Sequence, residues 1–134
     1  MTAAGDHFTL ELPHDPAFVA TARMFASSLA RHFEIEEDIV EDLKLAISEA
    51  CKRALAAKDQ GRPFSVSAAR DDGHLVFEVP QGDLPPPAEG DTPTPSEEQL
   101  DAALSLELIG ALFKDAELDT DAEGRPVLRF SVSS

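Results

Sequence analysis

The stretch Asp38–Ala57, DIVEDLKLAISEACKRALAA, constrains the fold more than any other part of the chain. It holds no Gly or Pro, and Ile39, Leu43, Ala46, Ile47, Ala50, Ala54 and Leu55 recur at helical spacing. That pattern predicts one long helix with a single buried stripe. Beside the stripe runs a second line, Asp42, Leu45, Glu49, Arg53 and Ala56. Glu49 and Arg53 stand four residues apart, in the order that favours an ion pair across one turn. As an ordinary wet pair it would be worth about 0.3–0.5 kcal/mol. The same two side chains on one face could instead belong to a site, intact or decayed.

The rest of the chain supplies strands and two more helices. Phe8–Leu12 alternates apolar and polar residues and reads as a strand. Asp15-Pro16 pairs a good N-cap with a residue suited to the first helical position, so a helix is expected from there to about His32. Its buried side is Phe18, Ala22, Phe25, Ala26 and Leu29. After a KDQGRP loop, Phe64–Arg70 and His74–Val79 form a hairpin across Asp71-Asp72-Gly73. Phe64, Val66 and Ala68 point inward from one strand, and Leu75, Phe77 and Val79 from the other.

Pro80–Pro95 holds six of the ten prolines and suits neither a helix nor a central strand, so it is expected as an exposed loop. Ser96 with Gln99 is a capping box opening a helix to about Phe113. Ala116–Leu118 and Val127–Val132 are the last strands, joined by a turn at Asp121-Ala122-Glu123-Gly124. The order β-α-α-β-β-loop-α-β-β predicts an α+β fold. It is a two-layer α/β sandwich with a mostly antiparallel sheet and three helices on one face.

Composition narrows the function. Eleven basic against 26 acidic side chains give a net charge of −15, which disfavours nucleic acid and suits a basic partner. No apolar run is long enough to span a bilayer, and the N-terminus lacks a basic region and an apolar signal core. A soluble, cytoplasmic chain without membrane contact is expected. The single cysteine, Cys51, excludes an internal disulfide and a multi-thiolate zinc site, and it reads as a packing residue. His7, His14, His32 and His74 show no metal spacing, and Asp71 with Asp72 is turn chemistry, so no metal site is expected.

Three segments together carry a resemblance: LAISEACKRAL (Leu45–Leu55), FEVPQG (Phe77–Gly82) and LSLELIGALFKDAEL (Leu104–Leu118). They resemble the nucleotide boxes, and the helix and strand after the third box, of bacterial anti-sigma factor serine kinases. These are small members of the gyrase and histidine-kinase ATPase superfamily. The resemblance implies a Bergerat fold over one domain, residues 1–134, with the ATP lid at about 80–96.

The apolar frame of each box fits the family, whereas most of the polar residues do not. The first box carries a glutamate and, four residues on, an asparagine that binds magnesium. Glu49 matches the first, and Arg53 stands at the second. The second box carries an aspartate that accepts from the adenine amino group, then a glycine. Pro80 stands at the aspartate and Gly82 matches the glycine. The third box is a Gly-x-Gly turn, aligned with Ala103 and Ser105 inside an expected helix. From Leu84 to Asp101 there is no Lys or Arg to hold phosphate.

The resemblance thus implies a regulatory protein that binds a sigma factor or an anti-sigma factor antagonist, as a possible homodimer, with no cofactor. The alternative is an active serine kinase that phosphorylates the antagonist with ATP and magnesium, using Glu49. A third reading is a cleft refitted for another ligand, with Arg53 meeting an anion.

Overall fold

A computed structural model describes residues 6–56, 63–71, 73–81, 97–120 and 124–133, with backbone alone at 56 and 97–102. Strand β1 (His7–Leu12) leads through a 3-10 turn (Pro16–Phe18) into α1 (Val19–His32) and α2 (Glu37–Ala56). Strands β2 (Phe64–Asp71) and β3 (His74–Pro80) follow, then α3 (Glu97–Leu112), β4 (Glu117–Thr120) and β5 (Pro126–Ser133). The sheet order is β1-β2-β3-β5-β4 and every neighbouring pair is antiparallel. This is the expected α+β sandwich. The turns at Asp72 and at 121–123, the loop at 57–62, Gly82, the proline-rich stretch and the Ser96 cap fall outside the described residues.

The sheet has one apolar face because side chains alternate along each strand. Register aligns Ala68 with Phe77 and Phe77 with Phe130, and likewise Leu75 with Val132 and Val79 with Leu128. All of these are buried. Phe130 stacks on Phe77 at 5.9 Å and on Phe113, just past α3, at 5.1 Å. Against that face lies the α2 stripe of Val40, Leu43, Ala46, Ile47, Ala50, Cys51 and Ala54. Small residues at 22, 26 and 30 let α1 pack closely on α2. Among the described residues no helix is long and apolar enough to cross a membrane.

Two local details differ from expectation. The first turn after Asp15 is 3-10, with the Asp15 carboxylate accepting from Ala17 N–H at 2.9 Å, and α1 proper begins at Val19. Strand β4 lies one residue later than expected at its start and two at its end. All four of its residues are exposed, so it carries no alternation to read; pairing of Glu117–Thr120 with Arg129–Pro126 sets its limits.

The end of α1 shows how the chain is turned into α2. Glu34 adopts φ 62°, Glu34 N–H donates to Arg31 C=O at 3.0 Å, and Ile35 N–H donates to Ala30 C=O at 3.0 Å. These two bonds form a Schellman cap, and Ile35 drops into the core as its apolar contact.

Candidate functional site

Glu49, Arg53, Gln81 and Ser105 meet where α2 faces the end of β3 and the middle of α3. Arg53 sits inward, only 4% exposed, and its Nε donates to Gln81 Oε1 at 2.8 Å. Gln81 is 1% exposed. Its amide nitrogen donates to Ala50 C=O at 3.2 Å and to Val79 C=O at 3.0 Å, so the side chain uses its acceptor and both donors. Its backbone N–H donates to Pro126 C=O at 2.9 Å. Gln81 therefore ties α2, β3 and the start of β5 together at the first position past the strand.

Glu49 makes a second tie. Its carboxylate accepts from Ser105 Oγ at 2.8 Å and from Lys52 Nζ at 2.8 Å. Burial pushes the Glu49 carboxyl up, but the hydrogen bonds from Lys52 and Ser105 outweigh it and hold the group below the usual range. Burial lowers the Arg53 guanidinium from its ordinary value.

The ion pair expected between Glu49 and Arg53 is replaced by Glu49 with Lys52. The reason is helical geometry. Residue 53 is one step round from the buried 46–50–54 stripe and turns toward the sheet, whereas residue 52 lies on the solvent side, three from 49.

The remaining positions singled out by sequence fall as follows. Pro80 is the last residue of β3, paired with Val127. A proline in that central strand is tolerated because it stands at the end, where Gln81 N–H takes up the next bond to β5. Ala103 is exposed and Ser105 buried, and both lie within the unbroken helix α3, whose interior N–H groups are committed to the helix. Gly82 lies outside the described residues. Sequence reasoning missed Gln81. Its signal was an uncharged polar residue wedged between Pro80 and Gly82 at the end of an apolar strand, where an amide needs partners.

Cys51 is buried and its thiol is pushed up to about 12 by that burial, as suits an inert packing residue. His14 Nε2 lies 3.0 Å from Leu55 C=O, fastening the chain before α1 to the end of α2. Among the described residues no cluster of His, Cys, Asp or Glu could hold a metal.

Comparison with known proteins follows the same lines. The family model described as the histidine kinase-like ATPase domain matches residues 12–131. The serine-protein kinase RsbW of Bacillus velezensis is 26% identical over 137 residues, covering 91% of this chain and 83% of the relative. RsbW of Listeria monocytogenes serotype 4a is 35% identical over 78 residues, covering 58% of this chain and 45% of the relative. That second match therefore spans less than half of the Listeria protein. Among solved structures, the RsbU and RsbW domains of Rv1364c from Mycobacterium tuberculosis align with a TM-score of 0.67 at 18% identity. That alignment covers 96% of this chain and 32% of the other, and it is a likeness of fold alone. The chain belongs to the histidine kinase-like ATPase family. Within it, the chain is similar to the RsbW serine-protein kinases over nearly its whole length. The resemblance drawn from the three boxes holds at the level of the family.

Proposed function

We propose that this chain is a regulatory binding protein that keeps the kinase scaffold and has lost ordinary magnesium-ATP binding. It acts by holding a sigma factor or an anti-sigma factor antagonist, so that transcription is controlled by sequestration. The observation that carries this reading is the buried Arg53–Gln81 contact. It stands where the family has its metal ligand and joins that position to the second box.

The donor set at this position does not fit the implied metal. Magnesium takes oxygen ligands, and a guanidinium offers none. The second box adds to the misfit, since Pro80 has neither a side-chain acceptor for an adenine amino group nor an N–H. At the third box, Ala103 and Ser105 lie inside continuous helix in place of a glycine turn, so their amides are not free to cradle phosphate. The lowered carboxyl of Glu49 suits a structural acceptor better than a general base, which works best with a pKa near the operating pH. The acidic surface supports a basic partner.

An active serine kinase is the second reading, favoured by the relatives' name and by Glu49 at the family's glutamate. Capture followed by mass spectrometry separates the two. The purified chain is expected to retain a sigma factor or antagonist and to leave its mass unchanged after incubation with magnesium-ATP. A phosphoryl gain on a serine of the captured antagonist would establish the kinase instead.

A further inference from the structure

The outer side of the helical layer carries apolar side chains that the fold leaves uncovered. Leu104 is 59% exposed, Leu45 43% and Leu108 36%. Ala103, Gly110 and Ala111 are exposed on α3 as well. A helix with apolar residues all round is ordinarily enclosed. Among the described side chains of α3, Ser105 and Ile109 are buried, with the neighbouring Phe113, and Leu106 and Leu112 partly so.

Helix spacing and direction set these leucines along the groove between the packed helices α2 and α3. The Ser105–Glu49 bond sets the level of α3 against α2. Past its end, α3 reaches Asp115, which accepts from Ser131 N–H at 3.1 Å; Ser131 pairs with Val76, in the first half of β3. Ala50 of α2, by contrast, touches Gln81, beyond the end of β3. Thus α3 runs back along α2 in the opposite direction. Leu108, one turn after Ser105, comes level with Leu45, one turn before Glu49, and Leu104 continues the strip beside Glu49.

The rim is acidic. Asp38, Glu41, Asp42 and Glu49 lie along α2 and Glu107 lies on α3. The two lysines on this stretch of α2, Lys44 and Lys52, are each bonded to a carboxylate, Glu41 and Glu49. An apolar strip bordered by carboxylates, on a chain of net charge −15, complements one kind of surface. We infer that the Leu45–Leu104–Leu108 groove docks an amphipathic helix of a partner protein that carries Lys or Arg beside its apolar face. The inference rests on the binding-protein reading above and places its contact.

Fluorescence anisotropy with two labelled peptides of about 15 residues tests it. Both contain the same leucines and lysines; one gathers the leucines on a single helical face and the other scatters them. The full chain is expected to bind the face-ordered peptide at least about tenfold more tightly than the scattered one. Replacing Leu104→Ser with Leu108→Ser, or Leu45→Ser alone, is expected to remove most of that preference. Met24→Ser, at an exposed apolar residue of α1, is expected to leave it unchanged.

Equal binding of the two peptides would overturn the inference, because charge alone would then account for it. So would sedimentation showing a dimer that the Leu104→Ser, Leu108→Ser variant takes apart, which would assign the groove to a second copy. A variant that still captured a sigma factor at full strength would also remove the groove, while leaving the regulatory reading standing.

Discussion

Arg53 and Gln81 show how a buried guanidinium and a buried amide can satisfy one another across two elements. A buried guanidinium is costly unless it is hydrogen-bonded, and Gln81 supplies a bond to it while its own amide is fully used. Gln81→Ala removes an acceptor from a buried charge and two bonds to backbone carbonyls. Urea denaturation is expected to show a loss of about 2–3 kcal/mol, and a loss within about 0.5 kcal/mol would contradict the role given to this residue. Glu34 is a smaller case. Its φ of 62° is strained for a side chain with a Cβ. Glu34→Gly is expected to gain about 1 kcal/mol, seen as a melting temperature roughly 3–5 °C higher. An unchanged or lower melting temperature would argue against strain at that cap. At this scale the sequence was legible in part. Glu49 and Arg53 stood out by spacing, but the inward turn of Arg53 depends on the sheet beneath it, and Gln81 acquires meaning only once β3 ends against α2.

Among the elements, those with a strong apolar period were legible and those without one were not. The inward faces of β2 and β3 lie where alternation puts them, and the α2 stripe holds at Leu43, Ala46, Ile47, Ala50 and Ala54, while Val40 and Cys51 are fully buried and Ile39 and Leu55 only in part. Strand β4 had no such signal because no residue of it is buried. It is held by pairing and by Arg129, which crosses the sheet to Glu78 at 2.8 Å, Asp119 at 2.7 Å and Glu117 at 3.4 Å. Donating to the Glu78 and Asp119 carboxylates raises the Arg129 guanidinium from its ordinary value. The Thr120 N–H and Arg129 hold the Asp119 carboxyl below its ordinary value.

Two expectations follow for β4. Arg129→Met should speed amide exchange at 117–120 well above exchange in β3, and equal protection in variant and parent would contradict the bridging role. For pH, the sign follows from the depressed Asp119 carboxyl. Its contribution is fully present above the ordinary carboxylate value and is lost as pH falls through the lowered one. Acid should therefore loosen β4 in the parent and have less effect in Asp119→Asn. Exchange that is equally acid-sensitive in both would count against it.

For the molecule as a whole, the three elements that carry the box-like segments are bonded to one another. The Arg53–Gln81 bond joins α2 to the end of β3, and the Glu49–Ser105 bond joins α2 to α3. The scaffold was legible because the apolar residues of the box-like segments, such as Ile47, Phe77 and Ile109, are core residues. The Arg53–Gln81 and Glu49–Ser105 bonds were not legible, because they join residues 28 and 56 apart. The central claim is that these contacts stand in place of a nucleotide, and isothermal titration of the full chain with ATP in the presence of magnesium tests it most directly. No binding heat is expected up to about millimolar ATP; a dissociation constant of the order of micromolar, about −8 kcal/mol, would contradict the account.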